Sequence, residues 1–562
     1  MRDYQTLLLY GFSRHSTRHK QGYKTGDQPG AREAFHLYKP VIIAVAVLLS
    51  LGCSGSPAPA DKGRVTMSWL QPLPDSGLQA QVLLTVGDRI GEYQPPGRLD
   101  GLAAWRADED TLRILANHEL PATGGYPYRL ANGTELRGSR VSYFDLDLKS
   151  GQLRAAGLAF DKIRDREGRM VTAATQVSEQ PRRPTAGLNA LCSAAGYIAG
   201  EFGFVDDLFL TNEEVTALED HPHGGSVWAL DTKQRELWAV PDLGRGAWEK
   251  VAALAAPEGY VALLLGDDLE FGRAPLYLYI GRKHGDDFLG RNGLRDGQLH
   301  VWVANGGERS PADWQGTGTV RAGRFVPLAA RLASRAGDDG YDARGYLDDT
   351  TLREAAWELG AFAFSRPEDL HVNPDDGLQA IFASTGQGRS VPDDDWGTLY
   401  RIDLSFDAGA KGLPGVSAVL TIVHDGDDFG DRGIRSPDNL TWARDSMVYV
   451  QEDKATKLAK FGADTGIDAS LWRIDPLNPD DYQRLAVINR AVPLPPGAVD
   501  KKADEFGAWE TSGIIDLAGR LDLPPGQRAF LLSVQAHGLR KGPIGGRSEL
   551  VEGGQLLLLT SE

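Results

Sequence analysis

Several stretches of this sequence place acidic residues directly after short apolar runs. Leu112–Ala116 leads into Asn117-His118-Glu119, and Leu208-Phe209-Leu210 into Thr211-Asn212-Glu213-Glu214. Leu263–Leu265 leads into Gly266-Asp267-Asp268, Ile422–His424 into Asp425-Gly426-Asp427-Asp428, and Met447–Val450 into Gln451-Glu452-Asp453. Ser436-Pro437-Asp438-Asn439 adds a tight polar turn. Successive side chains of a strand point to opposite faces, so one of Glu213 and Glu214 faces inward. Taken singly, each motif is a solvated turn. Gathered at one place, the carboxylates repel unless a cation or a proton intervenes, which is the chemistry of a hard-cation site.

The second reactive group is a thiol in Asn189-Ala190-Leu191-Cys192-Ser193. The chain has only two cysteines, Cys53 and Cys192. Cys53 follows the eleven-residue apolar run Val41–Leu51 and an N-terminal region rich in Arg and Lys. That run falls short of the ~20 residues a membrane span needs and matches the apolar core of an export signal. Gly52-Cys53 resembles a bacterial lipoprotein site, which makes the protein exported, and periplasmic or outer-membrane-tethered through a lipid on Cys53. Cys192 then has no disulfide partner in an oxidising compartment, so it is either a small buried hydrophobe or a metal ligand.

These groups need a scaffold that brings distant segments together. Fourteen short apolar runs separated by turn residues, from Thr111–Ala116 to Gln555–Leu559, predict an all-β chain, and 67 glycines and 31 prolines fit many turns. The 562 residues exceed what one sandwich or closed barrel holds, whereas a β-propeller adds blades around one axis. A loose repeat supports the propeller: Ser142–Asp147, Ser226–Asp231, Thr398–Asp403 and Ser470–Asp475 each alternate and end on an acid. Asp348 or Asp349 caps one helix over 350–362, an insertion between blades. The expected organisation is an export segment over 1–52, a flexible tether over 53–65 and one propeller over 66–562.

The formal charge is −17, and residues 1–52 carry seven Arg and Lys against three Asp and Glu, so the chain beyond them stands at −21. This argues against a nucleic-acid partner and suits a protein with several bound cations.

In order, Asn117-His118-Glu119, Leu191-Cys192-Ser193, Thr211-Asn212-Glu213-Glu214, Gly244-Arg245-Gly246-Ala247-Trp248-Glu249, Gly266-Asp267-Asp268, Arg366-Pro367-Glu368 and Ser436-Pro437-Asp438-Asn439 resemble the motif series of the PhoX-type alkaline phosphatases. The likeness extends from about Leu102 to Gln535, with Trp248 where the family has a histidine and no Pro-Trp-Gly segment after the cysteine. The resemblance implies a six-bladed β-propeller that hydrolyses small phosphate monoesters with Fe3+ and Ca2+. It implies metal ligation by Cys192, Glu249 and Glu368, with Glu119, Glu213, Glu214 and Asp438 as further ligand candidates and Glu510 at an added calcium position. Arg366 is implied as the catalytic arginine that meets phosphate. Asn117, His118, Asp267, Asp268, Asn439 and Glu452 are candidates for the surrounding support, and His118 and His284 for a general acid. The alternatives are another calcium-dependent propeller hydrolase, phytase-like or lactonase-like, and a non-catalytic calcium-stabilised binding propeller.

Overall fold

The computed structural model describes residues 65–178, 185–215, 224–269, 272–386, 394–407, 413–453 and 460–561. The export segment, Cys53 and all of the tether but Val65 lie outside them. No helix among the described residues is long and apolar enough to cross a membrane.

Six antiparallel blades surround one axis. From the axis outward, blade 1 is Leu99–Asp108, Thr111–His118, Arg140–Asp147 and Gln152–Leu158. Blade 2 is Leu191–Tyr197, Leu208–Glu213, Val227–Asp231 and Glu236–Ala239, edged by Lys162–Arg164. Blade 3 is Trp248–Leu254, Tyr260–Asp267, Tyr277–Arg282 and Gln298–Ala304. Blade 4 is Pro367–Val372, Gln379–Ser384, Thr398–Phe406 and Val416–Asp425, and Val320–Leu328 joins its outer edge to that of blade 3. Blade 5 is Pro437–Trp442, Val448–Glu452, Ser470–Asp475 and Asn478–Ile488, edged by Leu70–Pro72. Blade 6 is Glu510–Asp516, Ala529–Ala536 and Gly553–Ser561, and the early strand Leu78–Thr85 completes it from outside. The six innermost strands touch in sequence and close into a ring.

The sequence repeat marks the third strand of blades 1, 2, 4 and 5. Three of its terminal acids turn the chain: Asp147 accepts from the Lys149 and Ser150 amides, Asp231 from those of Lys233 and Gln234, and Asp475 from that of Leu477, whereas Asp403 lies within its strand and accepts from Arg401. The helix is Asp349–Glu358, capped by Asp348, whose carboxylate accepts from the Thr351 amide at 2.7 Å, and it lies between blades 3 and 4 as expected.

Apolar side chains fill the spaces between neighbouring blades rather than one central core. Between blades 3 and 4, Trp302, Trp314, Phe362, Phe364, Phe382 and Tyr400 form one such cluster, with Phe382 and Tyr400 stacked at 5.0 Å. Each fully buried side chain of this kind contributes about 1.5–3 kcal/mol, so the blades hold each other while the axis stays free for polar groups.

One local device recurs around that axis. Every innermost strand breaks register with its neighbour near its start: between Leu99 and Leu102, Leu191 and Ala194, Trp248 and Val251, Pro367 and Leu370, Pro437 and Leu440, and Ser512 and Ile514. A bulge re-aims side chains and releases backbone groups from the ladder. In five blades the freed pair is Asp100-Gly101, Cys192-Ser193, Glu249-Lys250, Glu368-Asp369 and Asp438-Asn439. Gly101 is needed at its position, because a Cβ there would lie 2.3 Å from the Ala194 amide nitrogen. In four blades the chain turns through the left-handed region just before the strand, at Arg98 (φ 51°), Ala190 (φ 41°), Arg366 (φ 59°) and Ser436 (φ 42°). Such a conformation costs a non-glycine residue about 1 kcal/mol or more, and it collects where function holds it.

Candidate metal centre

Strand alternation decides which acid of each sequence motif reaches the axis. His118, Glu213, Asp267 and Glu452 pair in register with Leu99, Leu191, Trp248 and Pro437, and all four turn into the blades. His118 Nδ1 donates to the Gly97 carbonyl (3.1 Å) and Nε2 accepts from the Ser142 hydroxyl (2.7 Å), while burial holds its imidazole neutral, down to about 3. Glu213 Oε1 accepts from the Asn189 amide (3.0 Å), and burial pushes its carboxyl up to about 7. Asp267 takes a two-pronged bond from Arg353 at 2.7 and 2.6 Å. Glu452 is held by Arg435 and the Trp472 ring nitrogen at 2.7–3.0 Å. The next residue along each strand, Glu119, Glu214, Asp268 or Asp453, faces the mouth of the ring.

Three overlapping groups form there. Asp100, Glu119 and Cys192 bring ligand atoms within 4.8 Å of one another, as do Cys192, Glu214 and Glu249, and Glu249, Glu368 and Asp438. Cys192 and Glu249 each belong to two groups, so the three sites form a chain. Asp100, Cys192, Glu249, Glu368 and Asp438 come from the bulges of blades 1 to 5, and Glu119 and Glu214 from the adjoining strand ends.

The electrostatics of this cluster are unbalanced without cations. Burial, then the charges of Asp100, Glu249, Glu214 and Glu119, push the Cys192 thiol up. Burial and neighbouring acids hold Glu214, Glu249, Glu368 and Asp438 well above the ordinary carboxylate range, and burial brings Asp100 up to about 7. Both Glu249 oxygens, Asp438 Oδ1 and Asp100 Oδ1 are buried without a hydrogen-bond partner, apart from the Cys192 thiol beside Glu249. Orphaned acceptors converging on one space are costly in a dry interior and suit cations. The donor types fit the metals that the resemblance implies. A thiolate with carboxylates suits a ferric ion, and the all-oxygen group of Glu249, Glu368 and Asp438 suits calcium.

Arg366 lies at the edge of the cluster and is itself heavily engaged. Its Nε and Nη2 meet Asp268 at 2.8 and 3.0 Å, Nη2 stands 2.6 Å from Glu368 Oε1, and Nη1 is 3.3 Å from Asp453. Burial works against the charge of Asp268, yet the Arg366 fork keeps its carboxyl low. Asn117 positions the thiol strand: Nδ2 donates to the Cys192 carbonyl at 2.5 Å, and Oδ1 accepts from Thr211. Asn439 Oδ1 accepts from the Gly513 amide across to blade 6.

Glu510 stands apart from the three groups. It is 3.0 Å from His537 Nε2, and Glu552 is 3.0 Å from His537 Nδ1. Burial opposes charge on that ring, but the two carboxylates outweigh it and raise His537 to about 9. His284 lies on the exposed outer side of blade 3, 3.4 Å from Asp296, away from the cluster.

Asp100, Lys250, Asp369 and His537 escaped the sequence reading. The missed signal is a recurring tetrad of apolar residue, acid or thiol, polar or small residue, apolar residue: Leu99-Asp100-Gly101-Leu102, Leu191-Cys192-Ser193-Ala194, Trp248-Glu249-Lys250-Val251, Pro367-Glu368-Asp369-Leu370 and Pro437-Asp438-Asn439-Leu440. His537 has no comparable mark.

Fold and site together define a six-bladed propeller whose axial mouth carries a buried cluster of carboxylates around one thiol. The family model described as alkaline phosphatase PhoX matches residues 212–468, so the resemblance to the PhoX-type alkaline phosphatases read from the motifs holds, at a distance. That span includes Glu214, Glu249, Glu368, Arg366 and Asp438, while Asp100, Glu119 and Cys192 precede it. Among solved structures, Pseudomonas fluorescens PhoX in complex with vanadate, a transition state analogue, is similar at a TM-score of 0.57 and 18% identity, covering 89% of this chain and 98% of that one. At that identity the likeness concerns the fold. An α-L-arabinofuranosidase from Podospora anserina in complex with cellotriose (9% identity, TM-score 0.19, 63% and 97% covered) and the WD40 domain of SCAP from fission yeast (7%, 0.22, 87% and 99%) match too weakly to carry an argument. No curated protein sequence shows significant similarity to the chain.

Proposed function

We propose that the chain is a metal-dependent phosphomonoesterase of the PhoX kind, with ferric iron at the Cys192 end of the cluster and calcium at the all-oxygen end. One observation carries this reading: three ligand groups are linked in a chain, the first two through Cys192 and the last two through Glu249, an arrangement for several adjacent cations rather than one. Asp100, Glu119, Cys192, Glu214 and Glu249 would hold the thiol-side ions, and Glu249, Glu368 and Asp438 the oxygen-side ion. Cations bound there would supply positive charge where a transferring phosphoryl group gains negative charge.

The remaining work falls to the chain itself. Arg366 presents a planar fork at the edge of the cluster, suited to two phosphate oxygens, and Asp268, Glu368 and Asp453 fix its plane. The blades bury Asp100, Cys192, Glu249, Glu368 and Asp438, which strengthens each charge interaction among them. The leader and Cys53 support export and a lipid tether as part of the same proposal. Cys53→Ser tests that part: a variant processed and localised like wild type would point to an ordinary cleavage site.

The engagement of Arg366 by three acids favours a second reading, in which it is structural and the propeller a calcium-stabilised binding module. Elemental analysis separates the two. Iron beside calcium, a visible thiolate-to-iron absorption abolished by Cys192→Ser, and turnover of an aryl phosphate support the phosphatase. A colourless, iron-free protein inert to phosphate esters leaves the second reading.

A further inference from the structure

Above the cluster lies a polar cavity of about 310 Å³, and its walls differ in charge from one side to the other. Glu119 and Glu214, both members of the cluster, form its inner wall, and Arg98, Arg540 and Arg547 form the outer one. We propose that these arginines make a subsite for a second anionic group of the substrate, so that the preferred substrates are phosphate monoesters whose alcohol portion carries a carboxylate or another phosphate. The proposal rests on the phosphatase reading above.

The charge balance of the outer wall leaves one guanidinium over. Arg98 stands 3.2 Å from Glu119 and 3.4 Å from Glu552, and Arg540 stands 2.6 Å from the other oxygen of Glu552. Arg547 meets no carboxylate among the described residues, and its side chain is exposed. Its backbone is nevertheless fixed. The Arg547 carbonyl accepts from the Gly125 amide (2.9 Å), the Glu549 carbonyl from Tyr126, and the Leu550 carbonyl from Gly97 (2.8 Å). Val551, also on the cavity wall, is held in the left-handed region at φ 72°, where a β-branched residue is a genuine outlier. The loop therefore presents Arg547 from a braced position.

Geometry also dictates which part of a substrate meets these arginines. The inner strands run in the same sense around the axis, so residues before the bulges face this mouth and residues after them face the opposite one. The opposite end is a separate cavity of about 340 Å³, lined by small and apolar residues from the far halves of the inner strands and by charged groups that include Lys250, Arg444, Asp516 and Arg520. An ester at the cluster whose alcohol portion extends past Glu214 and Glu119 brings that portion against Arg98, Arg540 and Arg547. An apolar alcohol gains nothing there, whereas an anionic one gains charge-assisted bonds.

The test compares phenyl phosphate with 4-carboxyphenyl phosphate as substrates, and phenylphosphonate with 4-carboxyphenylphosphonate as non-hydrolysed ligands in calorimetry, all on the metal-loaded protein. Wild type should favour the carboxylated partner about tenfold in kcat/KM and in affinity, and Arg547→Met should bring both ratios toward one. A wild-type ratio of one or less, or a ratio that Arg547→Met leaves unchanged, overturns the subsite. Turnover of both esters without preference would remove the subsite and keep the phosphatase. Preferential binding of the carboxylated phosphonate, lost in Arg547→Met but without turnover of either ester, would keep the subsite and remove the phosphatase.

Discussion

The ammonium of Lys250 lies 2.9 Å from Asp369 Oδ1, and both residues occupy the second place of a bulge, one step beyond Glu249 and Glu368. Lys250 also donates to the Ser193 hydroxyl at 3.2 Å, and Asp369 Oδ2 accepts from the Leu440 amide, so one buried ion pair links blades 2, 3, 4 and 5. Removing one member leaves a buried charge without its partner, which costs about 3–5 kcal/mol. Lys250→Met should lower the denaturation midpoint accordingly, and Lys250→Met with Asp369→Leu should recover most of the loss. A double-mutant cycle measures the coupling, and independent, additive losses would contradict it.

Glu213 and Glu214 should separate stability from cation binding. Glu214→Gln removes a carboxylate from the group with Cys192 and Glu249, so added calcium or iron should raise the melting temperature less than in wild type. Glu213→Gln lies inside blade 2 and should keep the full response to the cations. Equal responses in the two variants would show that Glu214 takes no part in binding.

Arg366→Ala frees Asp268, Glu368 and Asp453 from their shared guanidinium. On the phosphatase reading, kcat/KM for an aryl phosphate falls by roughly 100-fold, in line with one or two lost charge-assisted bonds. Arg366→Lys should rescue little, because a point charge cannot fork. If Lys restores full turnover, Arg366 supplies charge alone.

His537 gives a pH signature outside the three ligand groups, to which Glu552 and Arg98 connect it. Its folded value of about 9 lies above the ordinary ~6.5, so its pairing with Glu510 and Glu552 stabilises fully below about pH 6.5. That contribution is lost as pH rises through about 9. His537→Gln should therefore flatten the fall in melting temperature between pH 7 and 9, and an unchanged slope would place the titration elsewhere.

The sequence disclosed the outer architecture far better than the axis. All fourteen predicted apolar runs fall on strands, yet none is an innermost one. Those six strands carry Asp100, Cys192, Glu249, Glu368, Asp438 and Glu510 near their starts, with small residues where blades approach closely, so their hydrophobic alternation is broken by the site itself. Four of the strand-then-acid motifs were visible because acids follow the second strands, whereas Asp425-Gly426-Asp427-Asp428 follows the outermost strand of blade 4 and belongs to none of the three groups. Which member of each pair faces the axis depended on register, and one residue of slip exchanges the two faces. Asp369 and Lys250 were hidden because a bulge shows only once the partner strand is known. The long-range partner of Glu510 could not be read from its own neighbourhood, since His537 belongs to the adjoining strand's far end.

The closing of blade 6 by Leu78–Thr85 against Gly553–Ser561 bears on how the protein matures. Blade 1 leans on that blade through Asp100, which accepts from Ser512 and Gln535, so the first candidate ligand of the cluster is braced by segments made more than four hundred residues later. A growing chain can fold blades 2 to 5 as they emerge, but the Asp100 end stays unsupported until the late strands arrive. On the proposed reading, loading with cations would be coupled to ring closure, and a partly made chain would compete poorly for them compared with the finished one.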